Sequence, residues 1–425
     1  MRQKVFLKRC CSFFFFAYLI LAPLWAHAAQ PVLLGIDVLE HNQFAHLRGK
    51  RVALLTHAAG VNGEGKSSID VLWEAPQVNL VALFGPEHGI YSKEKAFAYI
   101  KDGRDKKTGL SVYSLHGKHR KPADYMLEGI DVLAIDLQDL GTRSYTYVAT
   151  MKYAMEACFE NNVEVMILDR PNPQGGLIVD GPPLDKDWEG FLAPIDMPYV
   201  YGLTLGELAS YLKNEPGLLK ITHNERKHGK LTIIPMTGWH RRMPWSATGL
   251  HWTPTSPNIP SVGAAVGYPM TGLGAEIGSF RHGIGSPYPF RLLSFPGKSP
   301  QELITALRRC NIAGLDYKAI TYQDKQGRSK EGVYVIVRDW NRHRPTELSL
   351  YMMQLACTWS ADGNPFAKAS KEKKTMFNKH MGSNAWWKEI STRGSHARVQ
   401  HFTQLWDKEA RTFQNKTKKY WLYPI

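Results

Sequence analysis

Leu80-Val-Ala-Leu-Phe-Gly-Pro-Glu-His-Gly89 is the stretch on which the reading of this chain turns. Its first five residues form an unbroken apolar run, with the length and texture of a buried strand, and Gly85-Pro86 stops it abruptly. Directly past the stop stand a carboxylate, Glu87, and an imidazole, His88, closed off by Gly89. Glycine lets the backbone turn tightly and proline fixes the approach to Glu87, so such a corner is costly unless something uses it. Taken alone, the corner also fits a loop that carries a surface Glu and a surface His.

The same texture recurs on either side. Arg51–Thr56 reads as a strand, Ser68–Glu74 as a short helix, Ser111–Leu115 as a strand and Pro122–Leu127 as a helical turn. Asp131–Asp136 follows as a buried strand, Tyr145–Glu160 as its helix and Val163–Leu168 as the next strand, while Tyr91–Thr108 is polar and loop-like. Strands alternating with helices predict an α/β fold, a Rossmann-like, doubly wound and mostly parallel sheet. The strands end in Thr56-His57, in Glu87-His88, in Asp136-Leu-Gln-Asp139 and in Asp169-Arg170-Pro-Asn172. Ligands of open α/β sheets bind outside the carboxyl ends of the strands, so parallel strands bring all four clusters to one edge.

The texture changes near Pro182. Trp188–Tyr201 is rich in proline and aromatics, and Thr204–Leu212 reads as a helix with Thr204 as N-cap and Glu207 at its third position. Leu231–Ile234 and Gly332–Val337 read as strands, Ser299–Arg309 as a helix, and the remainder as helical. The glycine-rich segment Gly272–Phe290 carries Glu276, Arg281 and His282. The expectation is a Rossmann-like catalytic domain over residues 29–181 and a smaller α+β domain over 182–425 that packs over the strand ends.

The 425 residues suffice for two such cores. Arg2, Lys4, Lys8 and Arg9 precede the apolar run Phe13–Leu24, and Ala26-His27-Ala28 offers small residues at the cleavage positions before Ala29. This is the pattern of a cleavable signal peptide over residues 1–28, which predicts a periplasmic or secreted protein. The apolar run is too short to span a bilayer stably, so no membrane span is expected after its removal. Taking those four positives from the formal +15 leaves +11, which suggests an anionic partner. Export argues against nucleic acid and for a cell-envelope polymer. Cys158, Cys310 and Cys357 remain, with neither a disulfide framework nor zinc-site spacing.

Four chemistries compete. Gly60-Val-Asn-Gly-Glu-Gly-Lys66-Ser67 satisfies the phosphate-loop pattern between a strand and a helix, which would make the chain an NTPase, yet an exported protein meets no cytoplasmic ATP. A Ser-His-Asp hydrolase lacks its G-x-S-x-G elbow, and no histidine pair has convincing metal spacing. Carboxylate chemistry remains. Glycoside hydrolysis needs one acid for the leaving oxygen and a second group as base, nucleophile or orienter, and Glu87 with Asp136, Asp139 and Asp169 supplies candidates.

Those residues carry a resemblance. Ser68-Ile-Asp-Val-Leu72, Leu83-Phe-Gly-Pro-Glu-His-Gly89, Tyr113-Ser-Leu-His-Gly117, Asp136-Leu-Gln-Asp-Leu-Gly-Thr-Arg-Ser-Tyr-Thr146 and Leu168-Asp-Arg-Pro-Asn-Pro173 resemble the NamZ-type exo-β-N-acetylmuramidases, earlier a domain of unknown function. Asp180-Gly-Pro182, Ser256-Pro-Asn258 and Tyr268-Pro269 extend the likeness through the second half. The resemblance implies release of N-acetylmuramic acid from the non-reducing end of peptidoglycan fragments, without metal or other cofactor, in a cleft between a Rossmann-like and a smaller domain. It implies Glu87 as general acid; His88 and Asp139 fall on matching motif positions, and chemistry makes Asp139 (or Asp136) the candidate second carboxylate. Tyr145, Asp169, Arg170 and Asn172 would shape the sugar site. Arg143 or Arg170 would pair with the lactyl carboxylate of muramic acid, or form a structural ion pair with Asp136 or Asp169. Many members carry Glu-Gly-Thr-Asn and Ser-Glu-Gly-Arg-Gly-Thr after Tyr-Pro. This chain has Gly274-Ala-Glu-Ile-Gly-Ser-Phe-Arg-His-Gly-Ile-Gly285 instead, in which Glu276 and Arg281 would take those roles. A non-catalytic peptidoglycan-binding protein on the same scaffold is the alternative, and the NTPase stands behind it.

Overall fold

The computed structural model describes residues 31–425, and the expected signal segment lies outside them. Seven strands make the first sheet: β1 (Arg51–Thr56), β2 (Asn79–Gly85), β3 (Gly103–Arg104), β4 (Ser111–Ser114), β5 (Val132–Asp136), β6 (Glu164–Leu168) and β7 (Leu231–Ile234). Their order is β3-β4-β2-β1-β5-β6-β7. Every neighbouring pair is parallel except β3 with β4, a short antiparallel edge. The chain therefore winds outward from β1 in one direction and from β5 in the other, and the order reverses between them. Crevices that take ligands in such sheets open at that reversal.

Residue alternation shows why both faces are covered. Ala53 and Leu55 of β1 join Leu133 and Ile135 of β5 in a core shared with the helix Tyr147–Glu160. Val52 and Leu54 join Val132 and Ala134 in a second core, roofed by the helices Gly35–His41 and Ser68–Glu74. Strands buried on two faces need apolar residues at consecutive positions, which is what the runs contain.

The sheet takes β7 from beyond residue 181, so it extends past the boundary expected from the change in texture. Between β6 and β7 lies the helix Leu205–Asn214, which begins as expected. The Thr204 side chain accepts from the Glu207 N–H, and the Glu207 carboxylate reaches back to the Thr204 N–H. That helix packs its Leu205, Leu208 and Leu212 on the first core.

The second layer is smaller. β8 (Leu292–Leu293), β9 (Leu315–Gln323) and β10 (Ser329–Val337) form an antiparallel sheet in the order β8-β10-β9. The helices Pro300–Arg309, Glu347–Trp359, Lys371–Met381 and Asn384–Arg393 enclose a separate core around Trp386, Phe377 and Met352. The long helix Val399–Thr417 leads back to the first sheet. There Tyr423 donates to Asp169 at 2.5 Å and the Trp421 ring lies 3.9 Å from the Arg241 guanidinium. No helix among the described residues is long and apolar enough to cross a membrane.

Candidate active site

β2 ends at Gly85, whose carbonyl accepts from Leu115, and the chain then turns through Pro86-Glu87-His88-Gly89. The turn is left-handed at two successive residues, φ +72° at His88 and +74° at Gly89. For histidine that conformation costs of order 1–3 kcal/mol. It is held by the Gly89 N–H on the Pro86 carbonyl at 3.0 Å and by a 2.7 Å contact from His88 Nδ1 to the Glu94 carbonyl. The geometry carries Glu87 away from the sheet into a cradle made by two loops.

Glu87 is 6% exposed, and both its oxygens are engaged. Oε1 accepts from the Phe97 N–H at 2.9 Å and Oε2 from the Thr146 hydroxyl at 2.8 Å. His116 Nε2 stands 3.6 Å from Oε1. Arg120 contacts His116 Nδ1, and since arginine can only donate, that nitrogen accepts and the proton sits on Nε2, facing Glu87. Burial pulls the His116 imidazole down to about 4, against the pull of Glu87, so the ring is neutral at neutral pH.

Two cavities meet at Glu87. One, of about 300 Å³, is lined by Glu87, His88, Tyr145, Tyr268, Glu276 and His380, with small and aromatic side chains between them. The other, of about 430 Å³, is lined by Glu87, His116, Arg120, Trp188, Phe191 and Lys379. Phe97, Thr146 and Leu192 line both, so Glu87 stands in the wall they share. Helix Lys371–Met381 of the second layer contributes to each, which makes the site a cleft between the layers. A carboxyl group on the common wall of two sugar-sized spaces is where a bridging glycosidic oxygen would need a proton donor.

Glu87, His88, Tyr145 and Glu276 are thus brought together. The other expected residues are not, for a physical reason. The carboxylates at the ends of β5 and β6 are closed onto an arginine, hydroxyls and loop N–H groups, where they fix the framework. Asp136 is fully buried and takes both Arg170 Nε at 2.5 Å and Nη2 at 2.8 Å, with Ser68 as a further donor. Asp169 accepts from Thr204 at 2.6 Å, the Gly206 N–H at 2.8 Å and Tyr423. Burial raises its carboxyl to about 6 in spite of these donors. Asn172 spends its amide on the Leu203 carbonyl and on the Gln174 N–H.

Asp139, expected as the second carboxylate, lines neither cavity. It accepts from the Gly141 N–H at 2.6 Å and from Tyr201, and burial raises it to about 7. The lactyl-carboxylate role expected of Arg143 or Arg170 also fails on geometry. Arg143 is fully buried, with its terminal nitrogens on the carbonyls of Pro182, Met197 and Met381. Arg170 is the structural partner of Asp136. Arg281 is exposed and lines neither cavity. In the Gly60–Ser67 loop, Asn62 Oδ1 takes the N–H groups of Glu64 and Lys66, and Asp37 takes that of Gly63. Lys66 pairs with Glu74 at 2.8 Å in solvent, so the loop offers no phosphate cradle.

Four groups at the cleft were not singled out from sequence: the Phe97 N–H, Thr146, His116 and His380. His116 and Thr146 sit inside motif runs, and their role needed only the question of what would hold Glu87. His380 lies in a basic helix with no local signal. Among the described residues no three His, Cys, Asp or Glu side chains converge as a metal-ligand set.

Two family models match the chain in succession. Residues 52–263 match the family model described as exo-β-N-acetylmuramidase NamZ, N-terminal, and residues 266–423 match its C-terminal counterpart. The chain is 36% identical over 393 residues to the peptidoglycan β-N-acetylmuramidase NamZ of Bacillus subtilis, covering 92% of this chain and 91% of that one. It is similar to the crystal structure of a DUF1343 family protein from Bacteroides fragilis, with TM-score 0.82, 38% identity and coverage of 92% of this chain and 99% of that one. A second DUF1343 protein from B. fragilis, 24% identical over the same shares, shares the fold at TM-score 0.68.

Proposed function

The chain belongs to the NamZ exo-β-N-acetylmuramidase family, and we propose that it is a glycoside hydrolase releasing N-acetylmuramic acid from the non-reducing ends of peptidoglycan fragments. Glu87 is its general acid. The observation that carries this role is the position of Glu87 on the shared wall of two cavities, held by the Phe97 N–H and the Thr146 hydroxyl. A sugar in each cavity would set the bridging oxygen beside the carboxyl group. Glu87 gives its proton to that oxygen as the bond to the anomeric carbon breaks.

Hydrolysis of a β-linked aryl glycoside of N-acetylmuramic acid tests the role. The expected result is turnover by wild type and a loss of about 100-fold or more in Glu87→Gln, the range for a missing general acid. A folded Glu87→Gln protein that keeps wild-type kcat/KM would remove Glu87 from the chemistry. An exported site of action accompanies this reading, supported by the charged, apolar and small-residue pattern of residues 1–28. Intact mass of the chain from the cell envelope is expected to correspond to a start at Ala29, and an unprocessed chain in the cytoplasm would contradict it.

A further inference from the structure

Besides Glu87, the one carboxylate among the residues lining the 300 Å³ cavity is Glu276, and it does not stand alone. Glu276 directly follows the turn Leu273–Ala275, and His380 lies in the last turn of the helix Lys371–Met381, so two distant segments bring them together. His380 Nδ1 lies 2.7 Å from Glu276 Oε1. That nitrogen is sealed from solvent and has no other partner among the described residues; its contact with Glu276 is an ion pair by distance without the alignment of a regular hydrogen bond, and His380 lines the cavity. Unlike Asp136, Asp139 and Asp169, Glu276 has no framework donor. An imidazole held at Nδ1 against a carboxylate 2.7 Å away, on the wall of the cavity, is the arrangement of an oriented base.

We propose that His380, oriented by Glu276, is the general base of the reaction in which Glu87 is the acid. The proposal rests on the muramidase reading above. Water at Nε2 gives a proton to His380 as its oxygen bonds to the anomeric carbon. The bond from that carbon to the bridging oxygen breaks, and Glu87 supplies the proton to the leaving oxygen. Glu87 then regains a proton and His380 loses one through solvent. Glu276 stays ionised, stabilises the imidazolium and holds the ring, so His380 is the catalytic residue and Glu276 a positioning residue.

The groups that face His380 give the pair a pH signature. Burial lowers its affinity for a proton, the Glu276 carboxylate raises it, Glu87 adds to that rise only in its ionised form, and Lys379 lowers it, with a net rise above the ordinary imidazole value. His88 and His282 line the same cavity, and burial pulls His282 down to about 4. A base must be unprotonated, so the rate falls as the pH drops through its titration. Removing the Glu276 charge moves that acid limb to lower pH.

The test is kcat against pH on the aryl muramic glycoside, for wild type and three variants with matched unfolding midpoints. His380→Gln is expected to lose about 100-fold or more in kcat with little change in KM. Glu276→Gln is expected to lose rate and to shift the acid limb downward, while Glu276→Asp, which keeps the charge, holds the limb in place. A His380→Gln enzyme at wild-type kcat, or a Glu276→Gln profile that only drops without shifting, would overturn the proposal. Wild type that leaves the glycoside intact would count against the muramidase reading instead. The dyad then stands or falls on NMR titration of the histidine side chains, which needs no turnover. The His380 titration point must fall in Glu276→Gln, and an unmoved one would overturn the dyad.

Discussion

A guanidinium ringed by three backbone carbonyls, as that of Arg143 is, has few donors left for a substrate, whatever its sequence context suggests. The same holds for Arg170, whose fork is closed on Asp136. Charged residues at strand ends were legible as a cluster, but sequence does not say which of them face one another and which face the cleft. Only the loop after β2 projects its carboxylate outward, because His88 and Gly89 turn left-handed and lift Glu87 off the sheet. His57, at the end of β1, is the inward counterpart. It is 1% exposed, accepts from the Gln138 N–H at 3.0 Å and contacts the Tyr147 hydroxyl at 3.1 Å. Burial, then the Arg170 charge, pulls its imidazole down to about 3. The unfolded chain binds that proton near pH 6.5, so stability is complete above about pH 6.5 and is lost as the pH falls toward about 3. Urea midpoints from about pH 7 to about pH 4 are expected to fall more steeply in wild type than in His57→Gln. Parallel slopes would show that His57 titrates normally.

At the scale of elements, the helix Leu205–Asn214 was readable from its capping box, and the structure gives that cap a second task. Thr204 accepts from the Glu207 N–H at 3.2 Å while donating to the buried Asp169 at 2.6 Å. Thr204→Ala therefore removes the cap, worth about 1 kcal/mol, and strips a donor from a buried carboxylate, worth about 1–3 kcal/mol more. Thr222 caps the exposed helix His223–His228 with the same box but without a second partner. Thr222→Ala is expected to cost no more than about 1 kcal/mol. Chemical denaturation of the two variants checks the contrast, and equal losses would contradict it. Other elements were not readable. The helix Val262–Thr271 contains Gly263, Gly267 and Pro269, all of which read as loop. Phe290 packs against it so closely that a Cβ on Gly267 would lie 2.4 Å from the Phe290 carbonyl oxygen. Tertiary contact, rather than propensity, makes it a helix. β9 alternates polar and apolar residues on a largely exposed edge, which weakens its signal.

For the molecule as a whole, the Rossmann-like winding was legible because every inner strand is an apolar run buried on two faces. The extent of the sheet was not, since β7 returns to it after the helix Leu205–Asn214 and the texture of the chain changes earlier. Nor did sequence show that the last residues come back to the first layer, where Tyr423 helps hold Asp169. The three cysteines among the described residues are free thiols, with Cys158 buried and Cys310 and Cys357 partly so. What the two layers build together is the cleft: the first supplies Glu87 and its cradle, the second supplies Glu276 and His380. Neither layer alone lines the cavity. The most direct measurement is mass-spectrometric analysis of the products from peptidoglycan fragments that begin with N-acetylmuramic acid. Free N-acetylmuramic acid is the expected first product of wild type, with none from Glu87→Gln. Binding of those fragments without any release by folded wild type, or release of internal disaccharides instead of the terminal sugar, would contradict it.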